Sequence, residues 1–92
     1  MLEKQITIIN KLGLHLRAAT KLVQLASDFE ADIKITCNDQ EADAKSIMDV
    51  LMLAAIVGTE VKLSVSGDNE DQETDIMGQL TGLIEDKFGE GE

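Results

Sequence analysis

The chain carries one histidine, His15, inside the stretch NKLGLHLRAATKL at residues 10–22. Gly13 stands two places before it, Arg17 two places after it, and a helical pattern begins almost at once. A neutral imidazole is a nucleophile near neutral pH. At the start of a helix it shares its position with exposed backbone N–H groups, which form an anion site with the helix dipole. Leu16, Arg17 and Ala18 supply those first-turn N–H groups, and Arg17 adds a guanidinium. A phosphoryl group accepted by this ring would have its negative charge stabilised in place. Gly13 permits the backbone conformation that brings the ring close. Position alone equally allows a surface histidine that only caps the helix. No second acid, base or metal ligand accompanies His15 in the sequence, so autonomous hydrolysis is not expected.

Ser46 is the next candidate. It precedes a second helical stretch, and Asp49 falls at the third helical position, the acidic half of a capping box. Such a cap stabilises a helix by about 1 kcal/mol. In SIMDVLMLAA, residues 46–55, only Asp49 interrupts the apolar residues after the serine. A helix apolar all round needs full burial, which a two-layer domain does not provide. Some of Ile47, Met48, Leu51 and Met52 are therefore expected at the surface, where methionines suit docking to several partners. A helix committed wholly to the core is the alternative. Thr20 and Lys21, beyond Arg17 on the first helix, are further candidates for partner contact, and Lys45 would add charge at the patch edge.

Composition limits what else the chain can do. Its 92 residues, 43% hydrophobic, suit one small domain over 1–88 with a tail at 89–92; fraying is expected within FGEGE, residues 88–92. The net charge of −10 argues against nucleic acid, whose phosphates need Lys and Arg. Lys11, Arg17 and Lys21 nevertheless lie within six residues of His15. They form either a solvated helix face or a small anion site. One cysteine, Cys37, excludes an internal disulfide and a Cys/His zinc site, and no cofactor is implied. Cys37 reads as a buried core thiol. MLEKQITIIN is too short and polar for a secretory signal, and no apolar run approaches the roughly 20 residues that span a bilayer. A cytoplasmic monomer is expected.

The elements that position these residues follow from periodicity. Strands are expected over 2–9, 31–37, 41–44 and 60–66, where apolar and polar residues alternate. NDQ at 38–40 reads as a turn. Helices are expected over 16–28, with Ala19, Leu22, Val23 and Ala26 inward; over 46–55, ended by Gly58; and from Asp68 or Asn69 to about 87. The last presents Ile76, Met77, Leu80, Leu83 and Ile84, and its Gly78 and Gly82 suggest close packing on the sheet. The order βαββαβα implies an α+β fold, an open two-layer sandwich of four antiparallel strands with three helices on one face. No Gly-rich loop or polar pocket signature favours a small-molecule-binding domain.

GLHLRAA at 13–19, followed by this helix, and AKSIM at 44–48, opening the second, resemble the HPr family. These are histidine-containing phosphocarrier proteins of the phosphoenolpyruvate-dependent phosphotransferase system. The resemblance covers nearly the whole chain. It implies that His15 accepts a phosphoryl group on Nδ1 from phosphorylated Enzyme I and passes it to a histidine of an EIIA-type domain. Arg17 matches the motif arginine, and residues matching Ile47, Met48 and Leu51 form the family's docking patch. Ser46 matches a regulatory site phosphorylated by a dedicated kinase in some lineages. The family motif has proline where this chain has Ala18. Alanine keeps the helix and adds an N–H that proline lacks. Sugar uptake and a nitrogen-related regulatory relay are both open; NKLGLH and the acidic tail lean toward the second. A non-catalytic regulator that acts only by binding a protein is the competing reading.

Overall fold

Strands that alternate apolar and polar residues have one face to bury, and here four of them bury it together. The computed structural model describes residues 1–89. In chain order its elements are β1 (Leu2–Thr7), α1 (Leu16–Ser27), β2 (Asp32–Cys37), β3 (Gln40–Asp43), α2 (Ile47–Met52), β4 (Glu60–Ser66) and α3 (Glu70–Glu85). A tight turn at Lys87–Gly89 follows. The strands form one antiparallel sheet in the order β1-β4-β2-β3. The register sets Ile6 opposite Val61, Ile33 opposite Val65 and Ile35 opposite Leu63, so inward residues meet across strands. All six are buried, and Cys37 joins them on the inward face. The three helices cover that face, giving the expected open sandwich. α1 contributes Ala19, Leu22, Val23 and Ala26 as read from periodicity, and Ala18 as well. α3 contributes Ile76, Met77, Leu80 and Ile84, with Leu83 at the margin.

Five expectations need correction. β1 ends at Thr7, yet Ile8 stays paired: its N–H donates to the Thr59 carbonyl at 2.9 Å, and its carbonyl accepts from Gly58 N at 2.7 Å. α2 stops at Met52, three residues early. Leu53 and Ala54 donate to carbonyls only three residues back, and Ala54 then takes a left-handed φ of 51°. That conformation costs an alanine about 1–2 kcal/mol, and glycine is its usual occupant. Gly58, at φ 90°, serves the following turn into β4 and does not end the helix. Gly78 and Gly82 are exposed, and a Cβ on either would meet open space, so neither marks close packing. Finally, Phe88 is fully buried in the core rather than frayed. The Lys21 ammonium donates to its carbonyl at 2.6 Å and fastens the chain end to α1. Residues 90–92, the remainder of the expected frayed tail, lie outside the described residues.

Candidate functional site

Two loops build the site. The first, residues 8–14, leads from β1 to α1; the second, residues 53–59, leads from α2 to β4. They are laced together by Ile8 with Thr59 and Gly58, and by Leu14, whose N–H donates to the Ala55 carbonyl at 2.9 Å. Gly13 lies at the crossing, with φ +67°. A Cβ there would sit 2.5 Å from the Ala55 oxygen and 2.9 Å from the Ile56 Cα. Glycine is thus required twice, for the left-handed backbone and for the close approach. Only the first of these reasons is visible in the sequence.

His15 follows as the N-cap of α1, with extended backbone at φ −77° and ψ 178°. Its Nδ1 accepts from the Arg17 N–H at 3.3 Å, and its carbonyl accepts from Ala19 N at 2.8 Å. In a neutral ring whose Nδ1 accepts, Nε2 carries the proton. The Nδ1 lone pair therefore lies where the helix N–H groups converge. The ring is half-buried. The Leu16 and Ala18 N–H groups belong to the same first turn, which holds no acidic residue. Arg17 and Leu16 are exposed, whereas the Ala18 side chain is fully buried. A proline at 18 would keep that packing and delete one donor of the turn. Capping and anion binding are thus compatible in one geometry: the ring that caps the helix stands beside N–H groups that an anion could also use.

The remaining candidates fall into two groups. Ser46 is the N-cap of α2, its Oγ accepting from Asp49 N at 3.3 Å. The other half of the expected capping box differs. The Asp49 carboxylate accepts from Asp43 N at 3.4 Å, while Ser46 N donates to the Asp43 carbonyl at 3.0 Å. Met48 and Met52 are strongly exposed, Ile47 and Leu51 are half-buried, and Val50 alone of the helix is fully buried. The helix is therefore amphipathic with an apolar outer face. The second group consists of side chains already engaged. The Thr20 hydroxyl donates to the Leu16 carbonyl at 2.7 Å. The Lys21 ammonium is held at Phe88, and the Lys45 ammonium donates to the Phe29 carbonyl at 2.7 Å. Lys21 and Lys45 thus tie elements together. Arg17 and Lys11 are the exposed cations flanking His15 in sequence.

Sequence reasoning missed two features. Leu12, Leu16, Ile56 and Val57 are exposed, so the apolar surface extends from α2 onto the start of α1 and both loops. Asn10 is fully buried, and its Nδ2 donates to the Gly13 carbonyl at 2.8 Å. An asparagine three residues before a glycine is a turn signal, and its burial was the unread part.

Comparison with known proteins agrees with this geometry. The family model for the HPr component phosphorylation site of the phosphotransferase system matches residues 2–86. The chain belongs to the HPr family. It is 50% identical over 92 residues to the phosphocarrier protein HPr of Cupriavidus necator, covering all of both chains. It is 44% identical over 89 residues to the phosphocarrier protein NPr of Shewanella violacea, covering 97% of this chain and 94% of the other. Among solved structures, HPr-C-His from Thermoanaerobacter tengcongensis superposes with a TM-score of 0.90 at 43% identity, covering 98% of each chain. An HPr dimer from the same organism, also 43% identical, gives 0.75 and covers 98% of this chain and 100% of the other. As an HPr-family member the chain is a phosphocarrier of the phosphotransferase system and not a catalytic enzyme. Among the described residues no helix is long and apolar enough to cross a membrane.

Proposed function

We propose that His15 is the phosphoryl acceptor of this carrier, and that phosphorylated Enzyme I is the donor and an EIIA-type domain the recipient. The observation that carries the reading is the His15 Nδ1 at the N-terminus of α1, in a first turn with no carboxylate. In the forward step the Nδ1 lone pair attacks phosphorus, a new N–P bond forms, and the bond to the donor nitrogen breaks. The phosphoryl oxygens then take N–H groups from the first turn, with Leu16 and Ala18 as backbone donors and the Arg17 guanidinium as the charged partner. Transfer onward reverses the geometry on a second histidine. The outer face of α2, with exposed Met48 beside half-buried Ile47 and Leu51, docks both partners in turn. A carrier with two partners needs one adaptable surface, and exposed methionines provide it.

Ser46 is proposed as a regulatory site. A phosphate there would sit on the α2 N-terminus at the margin of the docking helix and hinder docking by charge. The setting is cytoplasmic and the working form a monomer. The relay serves either sugar uptake or a nitrogen-related regulatory branch; relatives carry both the HPr and the NPr name.

The deciding experiment is incubation with phosphoenolpyruvate and Enzyme I of the source organism, followed by intact mass before and after acid. An acid-labile gain of one phosphate, absent in His15→Ala, is expected. A folded chain that gains none with an active Enzyme I overturns the carrier mechanism and favours a regulator that works by binding alone. The same assay on Ala18→Pro reads what the additional N–H contributes. A changed rate or phosphohistidine lifetime is expected, and identical values would show that this donor plays no part.

A further inference from the structure

Gly13 has no side chain to hold its peptide plane, yet that plane decides where the next two residues go. At φ +67° a glycine rotates its carbonyl with little steric resistance. Rotating the Gly13–Leu14 peptide would move the Leu14 N–H away from the Ala55 carbonyl, to which it now donates at 2.9 Å. His15 is the next residue, and its Nδ1 meets the Arg17 N–H only because the chain enters the helix at one angle. The Leu14–Ala55 bond holds one edge of that plane and Asn10 holds the other: its Nδ2 donates to the Gly13 oxygen at 2.8 Å, while Gly13 N donates back to the Asn10 carbonyl at 3.1 Å. The four-residue turn is closed from both ends. Asn10 is completely buried, so water is poorly placed to replace the amide, and a lost bond leaves a buried acceptor without its donor.

We infer that Asn10 is a positioning residue for the phosphoryl-accepting ring, acting through the Gly13 carbonyl to hold His15 Nδ1 against the first turn of α1. The inference rests on the reading of His15 as acceptor. Asn10 acts on the turn that leads into the ring. It restricts the approach of the chain, so its removal loosens the imidazole more than it loosens the fold.

The test compares Asn10→Leu, of similar size but without the donor, with Ile33→Val, a core truncation in β2 remote in sequence from both loops. Two quantities are read for each: the nitrogen NMR shifts of the His15 ring, and the rate of phosphorylation by Enzyme I. In the unmodified chain the shifts are expected to show an accepting Nδ1 and a protonated Nε2. Asn10→Leu should shift that pattern toward the tautomer mixture of a solvated imidazole and slow phosphorylation roughly tenfold. Ile33→Val should leave both unchanged at equal fraction folded. If Asn10→Leu does not fold, the smaller polar Asn10→Ser carries the same expectation. An unaltered ring pattern in the Asn10 variant, or an equal change in Ile33→Val, overturns the inference. If Enzyme I fails to phosphorylate the unmodified chain, the acceptor reading fails, while the ring pattern still decides whether Asn10 positions the imidazole.

Discussion

The three helices begin alike and are charged differently. Each is capped by a side chain that accepts a backbone N–H: His15 for α1, Ser46 for α2 and Asn69 for α3. α3 then places Glu70, Asp71 and Glu73 in its first turn, and α2 places Asp49 there. α1 has none. In a chain with 18 Asp and Glu against 8 Lys and Arg, that exception is informative. Carboxylates at a helix start stabilise it by roughly 0.3–1 kcal/mol each. α1 forgoes this gain and keeps Arg17 where the others have acids. Two helix starts carry carboxylates against their dipoles; the first turn of α1 carries none.

The sharpest way to break the contrast is at the loop that presents α1. Gly13→Ala should cost about 2–4 kcal/mol, from left-handed strain plus collision with the Ala55 carbonyl. A fall in the urea midpoint checks this, and near-native stability would refute the packing argument. Next, Leu16→Asp gives α1 the carboxylate that its neighbours have. The expected result is a helix more stable by about 0.3–1 kcal/mol and phosphorylation slowed roughly tenfold by charge repulsion. The mirror variant, Asp49→Asn, should lose a similar increment of stability and leave the phosphorylation rate unchanged. Parallel rate changes in both would show that the first-turn charge of α1 is not special.

A third contrast is between glycines. Gly78→Ala in α3 should raise stability by about 0.5–1 kcal/mol, because its Cβ meets nothing and the unfolded chain loses freedom. The same substitution helping at Gly78 and harming at Gly13 separates propensity from geometry. The smallest effect concerns pH. Glu73 is nearly buried at the start of α3, accepting from Gly67 N at 2.9 Å and facing the Met1 ammonium at 3.3 Å. The Gly67 bond first, then the ammonium, hold its carboxyl below the usual carboxylate range. A lowered folded pKa means stability that is complete above the unfolded value and lost as pH falls through the folded one. Glu73→Gln should therefore flatten the acid limb of the stability profile, measured by urea unfolding across the carboxylate range. An unchanged acid limb would remove Glu73 from that role.

The fold was largely readable because its signals are local. Alternation in QITI, DIKITC and EVKLSVS, and the 3.6-residue stripes of α1 and α3, name their own buried faces. Boundaries were harder where long-range contacts decide them. Nothing adjacent announces that Ala54 turns left-handed: no glycine marks the position, and the Ala55 carbonyl beside it is tied across the fold to Leu14 N. Nor could FGEGE reveal that Phe88 reaches back into the core, or that Lys21 would spend its charge on that carbonyl. At the site, His15 and Arg17 were legible from type and spacing. Asn10 was not, since an asparagine beside a turn reads the same whether it is solvated or fully enclosed. The apolar surface was half read: α2 announced itself by composition, while Ile56 and Val57 sit in a loop where periodicity says nothing.

The His15 cap has one more consequence. The nitrogen that accepts from Arg17 N–H is the nitrogen proposed to take the phosphoryl group. Modification therefore removes the helix's own cap at the moment it delivers a stronger one, because a phosphoryl oxygen can take over the vacated N–H. With His15 as acceptor, one hydrogen-bond acceptor would replace another, and the loaded form would gain less than the full value of its new hydrogen bonds. That keeps cargo from becoming trapped. A relay works in both directions only when loaded and empty states lie close in free energy, and a shared hydrogen-bond donor is a simple way to bring them level.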